Sequence, residues 1–194
     1  MTRIKEIKSN HTEEELYKKF QWLEDADIED AVVGAEDDVL VWHDGVWKDG
    51  RWHGGVWKNG KWYNGEWHDG EWHDGRWYGG EWNGGVWHDG TWYDGEWHNG
   101  VWNDGTWKAG TWHDGTWYDG IWYDGTWYDG EWYDGIWKTG IWHQGYIDDE
   151  LSTTPPNTNI KIKPHEKQKS SENHYIRQIK NPTLYSIADK LSMM

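Results

Sequence analysis

The chain has 194 residues, no cysteine and a net charge of −16. Without cysteine it forms neither disulfides nor thiolate metal sites, and its acidity argues against charge-driven binding to nucleic acid or anionic membrane surfaces. The length suits one domain with tails, yet beyond 22 Trp there is little to build a core from, with a single Phe and few Leu.

Residues 1–11 are polar and read as loose. The first fifteen residues carry no apolar signal-peptide region, and no stretch is long enough for a membrane-spanning helix. The expectation is therefore a product made soluble in the cytoplasm. Thr12 followed three residues later by Glu15 is a capping box. Leu16, Phe20 and Leu23 come next at helical spacing, so a helix is expected over about 13–24. Its expected role, within an acidic N-terminal segment 1–38, is to cap the first edge of the β-structure formed from residue 39 onward. Ala31-Val32-Val33-Gly34 reads as a short strand or turn leading into Val39-Leu40-Val41. Glu36-Asp37-Asp38 lacks the glycine and spacing of a calcium loop and reads as a solvated acidic run.

Residues 41–145 are twenty-one unbroken copies of a five-residue unit, x-Trp-x-x-Gly. The tryptophans are Trp42, Trp47, Trp52, Trp57, Trp62, Trp67, Trp72, Trp77, Trp82, Trp87, Trp92, Trp97, Trp102, Trp107, Trp112, Trp117, Trp122, Trp127, Trp132, Trp137 and Trp142. Such a period means one small unit stacked many times, so residues 39–147 form a single repeat β domain. The residue before Gly is Asp in twelve copies, Asn in three and Gly in three. These pairs suit a two-residue type I′ hairpin turn, and Val, Thr, Ile and Tyr around each Trp suit a strand. The preferred fold is thus mainly β: an elongated antiparallel meander of very short strands with Asp/Asn-Gly turns and a Trp-lined core. The segment Trp57-Lys58-Asn59-Gly60-Lys61-Trp62 resembles the turn region of designed tryptophan-zipper hairpins, which implies paired indoles. The alternative fold is a β-solenoid of stacked pentapeptide coils. In pentapeptide-repeat proteins a large residue and a small one two places earlier point inward, and Trp with its preceding Gly has that spacing.

Beyond Gly145 the register fails. Tyr146-Ile147 reads as a last strand, residues 148–181 as a disordered linker rich in Ser, Thr, Asn, Lys and Pro, and residues 182–194 as a short helix.

His-Asp-Gly recurs at His43, His68, His73, His88 and His113, which raises metal or catalytic chemistry. The same position also holds Tyr seven times and Lys four times. Interchangeable occupancy reads as surface, so no catalytic residue, metal ligand or cofactor is assigned and the chain is read as a non-enzyme. The Trp row is either core or a stacking platform for sugar rings. The units of the run Thr111–Gly125 resemble uncharacterised x-Trp-x-[Asp/Asn/Gly]-Gly repeat proteins of large tailed, particularly marine, phages. The likeness covers residues 39–145 and implies a virion-associated or host-interaction role. The reading from sequence is a structural or adhesive repeat protein, a phage virion or fibre component. Its partner is another protein through self-association or a particle, with no nucleic acid and no membrane. The alternatives are a carbohydrate-binding module with exposed Trp and a cation-binding acidic β-scaffold.

Overall fold

A computed structural model of the chain describes residues 4–156. The helix expected over 182–194 and most of the linker expected over 148–181 lie outside the described residues. The repeats form a β-solenoid with fifteen residues, three pentapeptides, per coil. Each strand pairs in parallel with the strand fifteen residues later: Trp42 with Trp57, Trp47 with Trp62, Trp52 with Trp67, and so on to Trp142. The twenty-one tryptophans therefore fall into three columns of seven. Face I starts at Trp42, face II at Trp47 and face III at Trp52. At the spacing of neighbouring strands, the seven coils rise about 29 Å from first to last.

Of the two arrangements the sequence offered, the chain takes the solenoid and not the antiparallel meander, and the corners show why. A type I′ turn needs positive φ at both central residues. Here Gly has φ between +105° and +131° from Gly45 to Gly140, but the residue before it never has positive φ. That residue acts instead through its side chain. In every Asp copy, and at Asn59 and Asn99, Oδ1 accepts the N–H of the following Gly at 2.6–2.9 Å. Asp and Asn recur because they cap a corner, a local side-chain-to-backbone bond of the kind that makes them turn residues generally. The type I′ geometry appears elsewhere. Asp37 and Asp38 (φ 45° and 69°) link the two strands of the N-terminal hairpin, and Asp148 and Asp149 (φ 51° and 65°) those of the C-terminal one.

Gly is required for a second reason. A Cβ on Gly65 would lie 2.2 Å from the Gly50 carbonyl oxygen in the coil before, and the corresponding distance is at most 2.6 Å at every repeat glycine from Gly55 to Gly140. The corner glycines stack with carbonyl on Cα, and no side chain fits between them. Two backbone bonds per pentapeptide tie the coils together. Examples are the Glu66 N–H to Gly50 O at 2.9 Å and the His68 N–H to Trp52 O at 2.8 Å.

The tryptophans fill the interior. All twenty-one are between 0 and 9 % exposed, and twenty are at 4 % or less. Within a column, indoles stack at centroid distances of 4.7–5.0 Å with planes 5–7° apart. Since that spacing exceeds the roughly 3.5 Å contact distance of carbon atoms, the rings are inclined and offset, the favoured stacking mode. Between columns, consecutive indoles meet edge to face at 5.6–6.0 Å and 70–85°. Each ring of the inner coils is thus held by stacking above and below and by edges at its sides, and each ring of the first and last coils by stacking on one side. Some indole N–H groups also find an acceptor: Trp107 donates to Asp124 O, Trp122 to Thr139 O and Trp142 to Ser152 O.

The first coil is closed by the N-terminal segment. Strand β1 (Ile4–Ile7), in a stretch read from the sequence as loose, pairs in parallel with β2 (Asp27–Glu36). β2 in turn pairs antiparallel with β3 (Val39–Asp49), the first two pentapeptides of the array. The expected helix is two: α1 (Glu13–Lys19) and α2 (Gln21–Asp25), broken at Phe20 with φ −117° and ψ 71°. The capping box forms as read, with the Thr12 N–H donating to Glu15 Oε2 at 2.7 Å and the Glu15 N–H to Thr12 Oγ1 at 3.3 Å. The break lets Trp22 reach the end of the core, 5.0 Å from Trp52 and 6.2 Å from Trp47, with Leu16, Leu23 and Ala26 buried behind it. At the other end, Gly145–Ile147 pairs with the Glu131–Trp132 strand and turns back into Glu150–Ser152, a strand inside the stretch expected to be linker. Among the described residues, the strands Ile136–Trp137 and Ile141–Trp142 pair only toward the preceding coil.

Candidate functional site

With every Trp turned inward, the residue after Trp points outward and its neighbours are the residues fifteen places away. The three faces therefore differ in chemistry. Face II carries Lys48, Tyr63, Tyr78, Tyr93, Lys108, Tyr123 and Lys138, with no histidine. Face III carries His53, His68, Asn83, His98, His113, Tyr128 and His143, and face I carries His43, Lys58, His73, His88, Asn103, Tyr118 and Tyr133. Of the residues that look interchangeable along the chain, the histidines of the array are confined to faces I and III.

On faces I and III, histidines of successive coils stack. His53 lies 4.8 Å from His68, His98 is 4.9 Å from His113, and His73 is 4.7 Å from His88 with a 27° tilt. In two of these pairs a glutamate in the position before Trp stands beside both histidines. Glu71 Oε2 is 3.2 Å from His73 Nε2 and 3.8 Å from His88 Nε2. Glu96 Oε2 is 3.7 Å from both His98 Nε2 and His113 Nε2. The donor atoms of each group lie within 4.8 Å of one another, so each can close on a single ion. The His88 and His113 Nε2 atoms are covered and have no hydrogen-bond partner. Burial above all, helped by nearby Lys58 and His88, pushes the His73 pKa below its ordinary value, and burial does the same at His43 and His53.

The turn aspartates also form columns, unbroken on face I from Asp74 through Asp89, Asp104, Asp119 and Asp134. Burial, then the neighbouring carboxylates of Asp104 and Asp134, raises the Asp119 pKa, while the Gly120 N–H works against that rise. Burial likewise raises Asp114. One oxygen of each carboxylate is already committed to a glycine N–H. The acidic run at the first hairpin is also occupied, since Asp38 pairs with Lys19 and Asp37-Asp38 makes the turn itself.

The Trp row is core, so the stacking-platform geometry that a glycan needs is absent from it. Of the five His-Asp-Gly histidines, the fold brings His73 and His88 together. It pairs His113 with His98 and His68 with His53, and leaves His43 apart. Sequence reasoning missed His53, His98, Glu71 and Glu96 as members of clusters. The available signal was a fifteen-residue recurrence: Glu-Trp-His followed by x-Trp-His three units later occurs at 71–88 and again at 96–113. Two open hollows flank the cap, one lined by Asp25, Asp27, Asp49, Arg51 and Glu66 and one by Glu13, Tyr17, Lys18 and Glu24. Neither gathers a nucleophile with a base and an oxyanion donor. Compared with protein-family models, with curated proteins and with solved structures, the chain finds no match.

Proposed function

We propose that this chain is a non-enzymatic structural or adhesive repeat protein, a stiff acidic element of a larger assembly. The observation that carries the reading is the continuous indole core. Every invariant position of the repeat, Trp and Gly alike, is consumed by stacking one coil on the next. Invariance spent on stacking leaves none for a unique reactive centre, and repetition of one surface suits a component that is built into something. The last coil adds support. Among the described residues, Ile136, Ile141 and Leu151 are 42, 58 and 63 % exposed at the last coil, where the strands of Ile136 and Ile141 pair on one side only, the kind of edge that proteins normally cover. The repeat's likeness to phage arrays makes a virion or fibre the setting we favour. The glycan alternative loses its platform, because the indoles offer no face to solvent.

The test is sedimentation velocity of the full chain over a hundredfold concentration range, alongside binding to immobilised polysaccharides. Concentration-dependent association that Ile141→Lys reduces, with no saturable glycan retention, is the expected result. A monomer at every concentration that is retained by a glycan would overturn it.

A further inference from the structure

The geometry points to two transition-metal sites of the same design on two faces of the solenoid, Glu71–His73–His88 on face I and Glu96–His98–His113 on face III. Each is Glu at i, His at i+2 and His at i+17, a combination that exists only when the chain is wound at fifteen residues per coil. A zinc ion held at about 2.0–2.2 Å by two imidazoles and a carboxylate places its donors about 3.4 Å apart. The Glu–His separations of 3.2, 3.8, 3.7 and 3.7 Å lie within about half an ångström of that value. The 27° tilt between His73 and His88 is a departure from the near-parallel stacking of the other two histidine pairs. A second observation is that His88 and His113 Nε2, like His43 and His68 Nε2, have no hydrogen-bond partner, and that of these four only His88 and His113 stand within 3.8 Å of a carboxylate oxygen that a second histidine shares. Two imidazole donors select a borderline ion such as Zn²⁺ over Ca²⁺ or Mg²⁺, which take oxygen ligands. The bound ion keeps an open coordination position toward solvent, where a further donor from a partner can enter.

The array carries its own negative control. Glu66 and His68 stand in the same relation as Glu71 and His73, but the position at i+17 is Asn83, whose amide donates to Trp67 O at 3.3 Å instead. Asn also occupies this column position on face I at Asn103, so the fold accepts His and Asn alike.

The experiment titrates the metal-free full chain with Zn²⁺ by calorimetry and with Co²⁺ by visible absorption. Two ions per chain are expected, with a Co²⁺ d–d band of four- or five-coordinate intensity, undisturbed by millimolar Ca²⁺. His88→Asn and His113→Asn should each remove one ion, weakening that site at least tenfold, and the double variant should lose both. Asn83→His should add binding on face III, and His143→Asn should change nothing. Unaltered stoichiometry and affinity in the double variant, or no Zn²⁺ bound at millimolar concentration by the wild-type chain, would overturn the assignment. Circular dichroism of each variant establishes that the solenoid is intact.

Discussion

At the scale of single residues, the two glycine positions make the sharpest contrast. Gly65 combines φ +117° with a carbonyl 2.2 Å from its missing Cβ. Gly65→Ala should therefore cost about 3 kcal/mol or more in urea unfolding, from backbone strain and overpacking together. Gly79, one place before an invariant glycine, has its nearest neighbour at 3.5 Å, and Ala109 fills the equivalent position two coils on. Gly79→Ala should stay within about 0.5 kcal/mol of wild type. The aspartates separate two roles of one side chain. Asp119→Asn keeps an oxygen for the Gly120 N–H, as Asn59 and Asn99 do for theirs, and removes a charge stacked between Asp104 and Asp134. Its unfolding midpoint should rise above wild type. Asp119→Ala loses the acceptor and should fall below the Asn variant by about 1 kcal/mol.

At the scale of the element, each pentapeptide contributes a buried indole, a corner and two outward side chains. Trp92→Ala in the middle of the face II column should destabilise by about 3–5 kcal/mol. Trp142→Ala, in the last coil and 9 % exposed, should cost less. The histidine columns set a pH dependence. His43, His53 and His73 have native pKa values held below the ordinary one, so the unfolded chain binds protons that the native chain refuses. Their contribution is present above about pH 6.5 and is lost as pH falls through the lower native values. The raised Asp114 and Asp119 act in the opposite sense, since their protonation at lower pH relieves the folded state. Urea midpoints should drop between pH 7.5 and 5.5, and His53→Asn with His73→Asn should flatten that drop. The Trp and Gly periods announced a mainly β array with an indole core, and the Thr12–Glu15 box announced α1. The winding was harder to read because Asp-Gly serves a type I′ hairpin and a capped coil corner equally well in composition. The two differ in the φ of Asp, which no residue count reveals. The Glu–His groups were hidden for a related reason. A five-residue repeat masks the fifteen-residue one, and only the variable outward positions carry the longer period.

At the scale of the whole molecule, the solenoid is one stack of indoles closed at its first coil by α1, α2 and β2, with two strand edges of its last coil unpaired among the described residues. Stability in such a body is a sum over neighbouring coils, so truncation from the last coil should lower the unfolding free energy stepwise, whereas loss of the N-terminal cap should expose Trp47 and Trp52. The central claim is that fifteen residues make one turn. Because the chain has no cysteine, spin labels can be placed cleanly at Tyr63→Cys and Lys138→Cys, both exposed positions on face II. Pulsed electron–electron double resonance between them should give a distance near 24 Å, about five coils at the spacing of paired strands. A meander would separate the same residues by about fifteen strands, so a distribution centred near 70 Å would contradict the solenoid.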